Sequence, residues 1–381
     1  MRILVVWSGA LIPAYRQFFV ELARFAEVRA LGPLRWTHGS VPQTGAAGPA
    51  APGCDLRPAA FWPAGSSRYL VPSLPFHLWR YRPRYLYLME EMDRPAFLWH
   101  ALLAKLAWPP VRVVAYCLQN LARPRYYRRR HALALKLNCL LASRVIAATA
   151  EAAAVIRGHG WRGPLATVPL WASETLFTPL PATAVEREAA RRELGIPPGA
   201  IVLVFAGSLV EAKGLLLLKE VLPRFPGLRL LAAGRGPLEE VLREALGPQW
   251  IHAGALPGEA LARLYRLGDY VILPSITTDS WKEQVGRALV EGILCGCIAL
   301  GSDSGHIPEL TCATEATFRQ GDAESLASLL ATLPLRDAER IRAAQRRKVE
   351  EAYTSRAAAR LTWEFLSDGT VSDGTGKGAG A

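Results

Sequence analysis

The chain has 381 residues, of which 51% are hydrophobic and 20% are charged, a composition that predicts globular domains with large apolar cores. No apolar run reaches the roughly 18 residues needed to span a bilayer, which excludes a protein built on transmembrane helices, and the start, MRILVVWSGALIP, indicates a strand and a loop rather than a signal peptide. The net charge of +12 is uneven, because residues 1–180 hold 22 Lys and Arg against 8 Asp and Glu, whereas residues 181–381 hold 23 against 25. We therefore expect a cytoplasmic protein whose first half meets an anionic partner.

Short apolar runs alternate with amphipathic helical segments along the first half of the chain. RILVVW is the first strand pattern, YRQFFVELARF has apolar residues at helical spacing, and further strand patterns are VRAL, RYLYLM, VRVVAYC and RVIAAT. Residues 32–66 are dense in Pro, Gly, Ala and Ser, so we interpret them as a long irregular loop. The six cysteines show neither C-x-x-C spacing nor nearby histidines and are interpreted as reduced structural thiols.

The prolines of LFTPLPAT mark a linker near residue 180, after which the alternation restarts with AIVLVFAGS, LRLLAAG, YVILPS and CIALGS. Two such series predict an α/β protein with two doubly wound, Rossmann-like domains that face a cleft. We assign residues 1–180 to the first domain, which a C-terminal helix near 354–366 completes, and residues 181–353 to the second. The polar, glycine-rich segment 367–381 is predicted to be disordered.

The second domain has glycines and polar residues where its strands end. Ligands of open parallel sheets bind beyond the carboxyl ends of the strands, and the residues at that edge are Gly207, Ser208, Lys213, Gly234 and Arg235. Glycines let a ligand approach the backbone, and helix N-termini present N–H groups to anions. Each junction alone is also ordinary turn chemistry, but together with the charge of Lys213 they predict a site for a phosphate or diphosphate group.

Two glutamates stand eight residues apart in SWKEQVGRALVEG, on either side of a helix start near Gly286. Glu283 has the alternative interpretation of a charge favoured by the helix dipole, and Glu291 that of a solvent-facing helix residue. Leu289 and Val290 place Glu291 beside an apolar helix face, where a solvated carboxylate is less expected.

This E-x7-E spacing, followed by GILCGCIALGSDSGHIPEL, resembles the signature of retaining glycosyltransferase family 4, whose members have the GT-B fold. GSLVEAKG resembles the diphosphate-binding loop of that family, GRGPLEE its Gly-x-Gly-Pro turn, and GPLATVPLWASETLFTP its interdomain segment. The resemblance implies a GT-B fold, a nucleotide-sugar donor, transfer with retention of anomeric configuration, and no requirement for a metal ion or another cofactor.

The resemblance also implies roles for the donor-side residues. Glu291 would bind the ribose hydroxyls, Glu283 would bind hydroxyls of the donor sugar, and Lys213 would neutralise the leaving diphosphate, so Glu283 and Lys213 are the catalytic candidates. Ser208 stands where the family usually has Arg, and Arg235, where the family often has Asp, could replace that charge. Donor contacts are also implied for the backbone around the helix start, at Gln284, Val285, Gly286 and Arg287.

The first domain is predicted to hold the acceptor. The acceptor-side candidates are the residues that follow its strands, namely Ser8, Gly9, Glu90, Glu91, Gln119 and Asn120. Glu90 and Glu91 are equally consistent with capping the next helix. The run NLARPRYYRRRHALALK mixes arginines with tyrosines, and because recognition-helix motifs are absent we favour an anionic membrane surface or a phosphate-bearing lipid acceptor over nucleic acid. This implies a cytoplasmic location with peripheral association at the inner face of the membrane.

Two other function classes stay open beside the principal prediction, a glycosyltransferase that acts on a glycan or lipid-linked acceptor. A nucleotide-sugar epimerase of GT-B-like fold would share the donor cleft, but it would need acid and base carboxylates there and no acceptor. A non-catalytic basic protein that binds membrane surfaces would need no intact donor loop.

Overall fold

The structure, a computed structural model, describes residues 1–38, 41–63, 69–122, 129–179 and 184–368. The chain forms two compact α/β units. The first consists of Met1–His38, Pro42–Leu170 and the C-terminal segment that begins at Ser355. The second is formed by Trp171–Thr354 and, among the described residues that precede it, by Val41.

The first unit is built around a mostly parallel sheet. Its strands are β1 (Arg2–Val6), β2 (Glu27–Gly32), β3 (Arg35–His38), β4 (Val41–Thr44), β5 (Gly48–Ala51), β6 (Cys54–Pro58), β7 (Tyr85–Leu88), β8 (Arg112–Cys117), β9 (Ala142–Ala147) and β10 (Leu165–Thr167). Eight of these strands form one sheet in the order β10-β9-β8-β7-β1-β2-β6-β5, and among the described residues β5 alone runs antiparallel to its neighbour. Every residue of β7 is buried, as expected for a parallel strand covered on both faces.

Helices connect these strands and cover the sheet. They are α1 (Pro13–Leu22), α2 (Leu74–Tyr81), α3 (Pro95–Ala107), α4 (Arg129–Leu141) and α5 (Ala150–Gly158). Helix α1 begins with proline, whose missing N–H is not needed in the first turn. It buries Tyr15, Phe18, Phe19 and Leu22, which recur on one face of a helix with 3.6 residues per turn. The predicted helix and the predicted strands of this half are thus confirmed.

The prediction of an irregular loop over residues 32–66 is wrong for much of that stretch. Strand β6 pairs in parallel with β2, and β5 lies beside β6 at the edge of the sheet. Strands β3 and β4 form a separate two-stranded sheet. Proline and glycine are depleted in central strands but are tolerated at an edge, where one side of the backbone needs no partner. The proline- and glycine-rich composition therefore gave no sign of these strands. Strand β6 packs against the core through Cys54 and Leu56, which are both buried.

The second unit contains a parallel sheet with the ligand edge that the sequence predicts. Its strands are β11 (Ile201–Ala206), β12 (Leu228–Ala233), β13 (Trp250–His252), β14 (Tyr270–Leu273), β15 (Ile298–Ser302) and β16 (Thr317–Phe318). The order is β13-β12-β11-β14-β15-β16, and all pairings are parallel. Its helices are α6 (Ala184–Glu193), α7 (Leu215–Val221), α8 (Glu239–Leu246), α9 (Gly258–Arg266), α10 (Arg287–Leu294), α11 (Ile307–Thr311), α12 (Ala323–Ala331) and α13 (Ala338–Ala352).

The chain enters the second unit earlier than the predicted boundary at residue 180. The segment after Leu170 packs with the second unit, because Arg266 donates through Nε to the carbonyl oxygen of Thr178 at 2.8 Å and through Nη2 to that of Leu176 at 3.0 Å. The ring of Phe177 also lies 6.1 Å from that of Tyr265. Contacts with these side chains, which no local sequence pattern indicates, fix the boundary.

A C-terminal helix, α14 (Ser355–Asp368), belongs to the first unit. Tyr85 donates its hydroxyl hydrogen to the carbonyl oxygen of Leu366 at 2.9 Å, and Arg144 donates to that of Phe365 at 2.8 Å. Phe25 and Trp363 stack with ring centroids 5.9 Å apart. The segment predicted to be disordered begins inside this helix at residue 367, and residues 369–381 lie outside the described residues.

All six cysteines are unpaired thiols, as predicted. None of the helices in the described part of the chain combines the length and apolarity needed to cross a bilayer.

Candidate functional site

Four loops of the second unit meet at one edge of its sheet. They follow β11, β12, β14 and β15, which are neighbours in the sheet and run in the same direction. These loops are 207–213, 234–236, 274–286 and 303–306. They contain all the predicted donor-side residues except Arg287 and Glu291, which lie on α10 directly after the third loop. Parallel topology therefore places those residues together at the carboxyl ends of the strands, where ligands of such sheets bind.

Glycine is required where the first two of these loops touch. A Cβ atom on Gly234 would lie 1.8 Å from the carbonyl oxygen of Gly207, and the φ of Gly234 is +146°. The amide of Leu209 also donates to the carbonyl oxygen of Arg235 at 2.9 Å. The loops after β11 and β12 are thus joined through their backbones, and any larger residue at 234 would push them apart.

Lys213 and the buried Glu283 form an ion pair. Lys213 closes a short 3₁₀ turn, Glu211–Lys213, just before α7, and its Nζ lies 2.7 Å from Oε2 of Glu283. Ser275 donates its hydroxyl hydrogen to the same oxygen at 2.8 Å, and the ring centroid of Trp281 lies 4.7 Å from the ammonium. Because Glu283 is only 7% exposed, its charge is balanced by the lysine rather than by water.

Glu291 lies on the inner side of α10, so its interpretation as a solvent-facing residue is wrong. It is 3% exposed. Arg287 donates through Nε to its Oε1 at 2.7 Å, and the hydroxyl of Tyr265 donates to its Oε2 at 3.2 Å. Burial and the neighbouring Glu291 raise the pKa of Tyr265 well above its usual value, so the phenol stays a donor. Each carboxylate oxygen accepts one protein hydrogen bond and keeps a lone pair for a ligand hydroxyl.

The start of α10 is fixed by backbone geometry. Gly286 caps the helix in the left-handed conformation, with φ +71°, and Val285 is buried next to it. A Cβ atom on Gly305 would lie 2.0 Å from the carbonyl oxygen of Glu283, so the loop after β15 rests directly on the Glu283 backbone. This close approach holds Gln284, Val285 and Gly286 beside the buried carboxylate.

Ser208 and Arg235 are exposed side chains on the two joined loops. The guanidinium of Arg235 forms no ion pair with another residue in the described ranges. No group of three or more His, Cys, Asp or Glu side chains in those ranges is arranged to hold a metal ion.

The acceptor-side candidates lie at the carboxyl ends of β1, β7 and β8, which are neighbours in the first unit's sheet. Ser8 and Gly9 follow β1. The amide of Leu118 donates to Oε1 of Glu91 at 2.8 Å, which ties the loops after β7 and β8 together. Burial raises the pKa of Glu91 to about 7, although hydrogen bonds from the Leu118 and Gln119 amides oppose the rise.

Two further acceptor-side candidates, Glu90 and Asn120, contact side chains of α3 and α5. The Oε2 atom of Glu90 lies 3.5 Å from Nδ1 of His100, and the Glu90 side chain is 7% exposed. Because Nε2 of His100 accepts from the amide of Val71 at 3.0 Å, the ring proton lies on Nδ1, towards Glu90. Burial raises the pKa of Glu90, and the contact with His100 opposes that rise. Asn120 donates through Nδ2 to Glu151 at 3.3 Å.

Three residues of the second-unit site escaped the sequence reasoning. Ser275 and Trp281 hold the Lys213–Glu283 pair, and Tyr265 holds Glu291. Ser275 gave one signal, because it is a small polar residue directly after the apolar run of β14. Tyr265 gave none, since only the tertiary fold brings α9 to α10.

Residues 186–350 match the family model of group 1 glycosyl transferases. This segment contains all four loops of the site. Among curated proteins, the chain is 29% identical over 211 residues to D-inositol 3-phosphate glycosyltransferase of Segniliparus rotundus. The aligned region covers 49% of this chain and 42% of that protein. It is 28% identical over 138 residues to sulfoquinovosyl transferase SQD2 of Arabidopsis thaliana, which covers 35% of this chain and 26% of that protein. The matches thus span less than half the length of these relatives. Together with the family model, they support a relationship of this chain to glycosyltransferases.

Solved structures share the fold over nearly the whole chain. Anabaena HepE in complex with UDP and glucose aligns with a TM-score of 0.71 at 16% identity, covering 96% of this chain and 99% of that one. Sucrose-phosphate synthase of Thermosynechococcus elongatus aligns with a TM-score of 0.73 at 18% identity, covering 96% and 98%. The predicted α/β fold of GT-B type is therefore confirmed.

Proposed function

We propose that the protein is a glycosyltransferase that moves a sugar from a nucleotide-sugar donor to a glycan or lipid-linked acceptor. The observation that carries this proposal is the convergence of the Lys213–Glu283 ion pair and the buried Glu291 at one edge of a parallel sheet. The group 1 glycosyl transferase match covers that edge. A nucleotide-sugar donor agrees with the HepE structures, which hold UDP or UDP-glucose.

In this proposal the donor lies across the four loops of the second unit. The ribose hydroxyls bind Glu291, whose oxygens keep lone pairs beside their protein donors. The diphosphate lies between Lys213 and the start of α10, with Arg235 supplying the charge that Ser208 lacks. Charged groups and oriented amides suit a diphosphate because they stabilise the negative charge that grows as it leaves.

Transfer then proceeds with retention and without a metal ion. A bond forms between the acceptor hydroxyl oxygen and the anomeric carbon, on the face from which the diphosphate departs. The bond from the anomeric carbon to the phosphate oxygen breaks, and that oxygen takes the acceptor proton. Glu283 binds hydroxyls of the donor sugar and positions Lys213 beside the leaving group.

The acceptor binds in this proposal at the first unit, near the loops after β1, β7 and β8. A cytoplasmic location with peripheral association at an anionic membrane surface remains a prediction. Its sequence basis, the arginine run around residues 123–130, lies mostly outside the described residues.

Thermal unfolding in the presence of UDP-, GDP- and dTDP-sugars tests the donor site first, because a ligand that binds only the folded state raises its stability. We expect one class of nucleotide sugar to stabilise the protein and to be consumed only when an acceptor is added, with EDTA having no effect. Donor turnover without an acceptor would instead favour the epimerase. No stabilisation by any nucleotide sugar would overturn the proposal.

A further inference from the structure

Three neighbouring helices of the first unit expose apolar side chains on their outer surfaces. Helix α3 contacts both α2 and α4, and the inner sides of all three pack on the sheet core through residues such as Leu78, Phe97 and Leu135. Their outer sides form one surface, defined by the exposed residues of α2, α3 and α4 and called here the α2–α4 face.

Helices α2 and α3 contribute large aromatic and aliphatic groups to this face. Phe76 and Trp79 of α2 are 62% and 60% exposed. On α3, Trp99, Leu102 and Leu106 are 54%, 37% and 80% exposed and recur at the spacing of one helical face. Monomeric soluble proteins rarely expose large contiguous apolar patches, and such patches usually mark an interaction site.

Helix α4 continues the pattern. Leu133, Leu137 and Leu140 are separated by four and three residues, which places them on one side of the helix, and all three are exposed, Leu140 at 82%. The opposite side of α4 buries Leu135 and Asn138. The apolar residues on the outer side of α4 are therefore not explained by packing within the first unit.

The charge of the face has a single sign. The helices α2, α3 and α4 contain no Asp or Glu, whereas they carry Arg80, Lys105 and Lys136 in addition to the two arginines that begin α4. Arg80 and Lys136 are exposed. A surface that combines apolar side chains with positive charge complements an anionic lipid surface, and two copies of it would repel each other.

A cationic pocket adjoins the face at α2. It has a volume of about 440 Å³, and four arginines line it beside a single glutamate, Glu27. Arg2 pairs with that glutamate at 3.0 Å, and Arg29 and Arg57 pair with Asp55 at 3.0 and 2.9 Å. Arg80 forms no ion pair with another described residue, so its charge is the one available to a ligand. Burial and the charges of Arg29 and Arg57 lower the pKa of His77 on the pocket wall. Phe76, which is part of the α2–α4 face, also lines the pocket.

We propose that the α2–α4 face docks on an anionic lipid bilayer, with the tryptophans and leucines at the headgroup boundary and a lipid phosphate in the pocket beside Arg80. Tryptophan is enriched at such boundaries, and aliphatic side chains partition into the acyl region. This inference deepens the proposed function by naming the surface that would bring the enzyme to a lipid-linked acceptor, and its test does not depend on sugar transfer.

Vesicle flotation of the full chain tests the docking surface. Vesicles of phosphatidylcholine alone are compared with vesicles of equal parts phosphatidylcholine and phosphatidylglycerol, at low and at physiological salt. We expect binding to the acidic vesicles only, and the double variant Trp99→Gln, Leu106→Gln should lower that partition at least tenfold at both salt concentrations. The double variant Val185→Gln, Val241→Gln is the matched control, because these apolar residues of the second unit are 73% and 38% exposed.

The charge at the pocket is tested separately. Arg80→Gln should reduce partition onto acidic vesicles about fivefold at low salt, the contribution of one basic residue near an anionic leaflet, and less at high salt, where charges are screened. Arg336→Gln, an exposed arginine of the second unit, should change nothing. Addition of free inorganic phosphate should not release the protein, because the apolar residues require a bilayer.

Three outcomes would overturn the proposal. One is the absence of binding to acidic vesicles at low salt, and another is equal partition of the Trp99→Gln, Leu106→Gln variant and its control. The third is a concentration-dependent dimer that the same variant abolishes, since the face would then be an interface between copies. In the absence of vesicles, each variant should have the circular dichroism spectrum of the parent protein and should be stabilised equally by a nucleotide sugar. A folding defect or a failed donor site is therefore detected separately from a loss of membrane binding.

Discussion

At the residue scale, the main finding is that the lysine predicted to meet the diphosphate already has a carboxylate partner. Lys213 and Glu283 are 2.7 Å apart, and Ser275 and Trp281 surround them. An incoming diphosphate would therefore share the ammonium with Glu283 and would add negative charge beside a buried carboxylate. In the proposed reaction, repulsion of that kind would favour departure of the diphosphate once the sugar has been transferred.

Substitution of Glu291 should weaken binding of the nucleotide, whereas substitution of Glu283 should mainly slow transfer of the sugar. Glu291→Gln removes the charge that would accept ribose hydroxyls, so the Kd for the donor's free nucleoside diphosphate should rise about ten- to a hundredfold, equivalent to about 1.5–3 kcal/mol. Glu283→Gln should leave that Kd unchanged or lower it, because Lys213 loses a competing charge, while kcat for transfer falls. Calorimetry and donor consumption measure the two effects, with the exposed Glu350→Gln as control. Equal losses of nucleotide affinity in both variants would contradict the assigned roles.

Glu91 provides a pH prediction. Burial raises its pKa from 4.5 to about 7, so across that window the folded protein holds a proton that the unfolded chain has released. The free energy of unfolding of the parent protein therefore falls as pH rises from 4.5 to 7. The Glu91→Gln variant keeps an oxygen that accepts from the Leu118 amide, but it has no titrating group at this position. Its free energy of unfolding should therefore not fall in this way as pH rises. Relative to the parent, it should gain stability through the same window, by on the order of 3 kcal/mol.

Urea unfolding at pH 5 and pH 8 measures this gain. Glu27→Gln is the control, because that carboxylate is largely exposed beside Arg2. A stability difference between Glu91→Gln and the parent that is the same at both pH values would rule out the raised pKa.

At the element scale, the strands and helices around the site followed from the sequence because their apolar residues recur with the period of each element. The helix start at Gly286 and the burial of Glu291 were also indicated locally, by a glycine and by apolar neighbours. The contacts that complete the site were not, because Ser275, Tyr265 and the Lys213–Glu283 pair meet through the order of strands in the sheet. The strands within residues 32–66 were missed because proline and glycine usually mark irregular structure. Here they occur in the edge strand β5 and at the end of β6, where strands tolerate them.

The hydrogen bond from the Leu209 amide to the Arg235 carbonyl holds the loops after β11 and β12 together. Arg235→Ala should weaken binding of the nucleoside diphosphate about tenfold or more, because an arginine–phosphate hydrogen bond contributes about 1.5–3 kcal/mol. Adding Ser208→Arg to the Arg235→Ala variant should restore the affinity, because position 208 lies on the loop that is joined to the loop of Arg235. Calorimetric titration measures both, with Arg336→Ala as control. If neither change alters the affinity, the diphosphate binds elsewhere.

At the scale of the whole molecule, the chain crosses from the first unit to the second at residue 171 and returns at residue 355. Helix α14 lies against α1, and Phe365 and Leu366 are 1% and 0% exposed. The second unit, in contrast, is formed almost entirely by the continuous stretch Trp171–Thr354, to which Val41 is added from the first half of the chain. Stability of the first unit therefore depends on residues that are far apart in sequence, whereas the second unit holds all residues of the predicted donor site.

Phe365→Ala should separate the two units in an unfolding experiment. Loss of a buried phenylalanine costs about 3–5 kcal/mol, so the first unit should unfold at a lower temperature. Affinity for the donor's nucleoside diphosphate should be unchanged at temperatures where the second unit is folded. Calorimetric unfolding with and without nucleotide shows which transition moves, and Val185→Ala, at a position that is 73% exposed, is the control. A nucleotide-stabilised transition that shifts as much as the other would contradict this division.

The return of the chain also affects the order in which the protein matures on the ribosome. Synthesis delivers residues from the amino terminus, so the second unit, which ends at Thr354, leaves the ribosome before the 14 residues of α14. Until then, the surface of α1 that α14 covers stays open. The half of the protein that is translated first is thus completed last, and a nascent chain paused at Thr354 would carry a complete second unit beside an unfinished first.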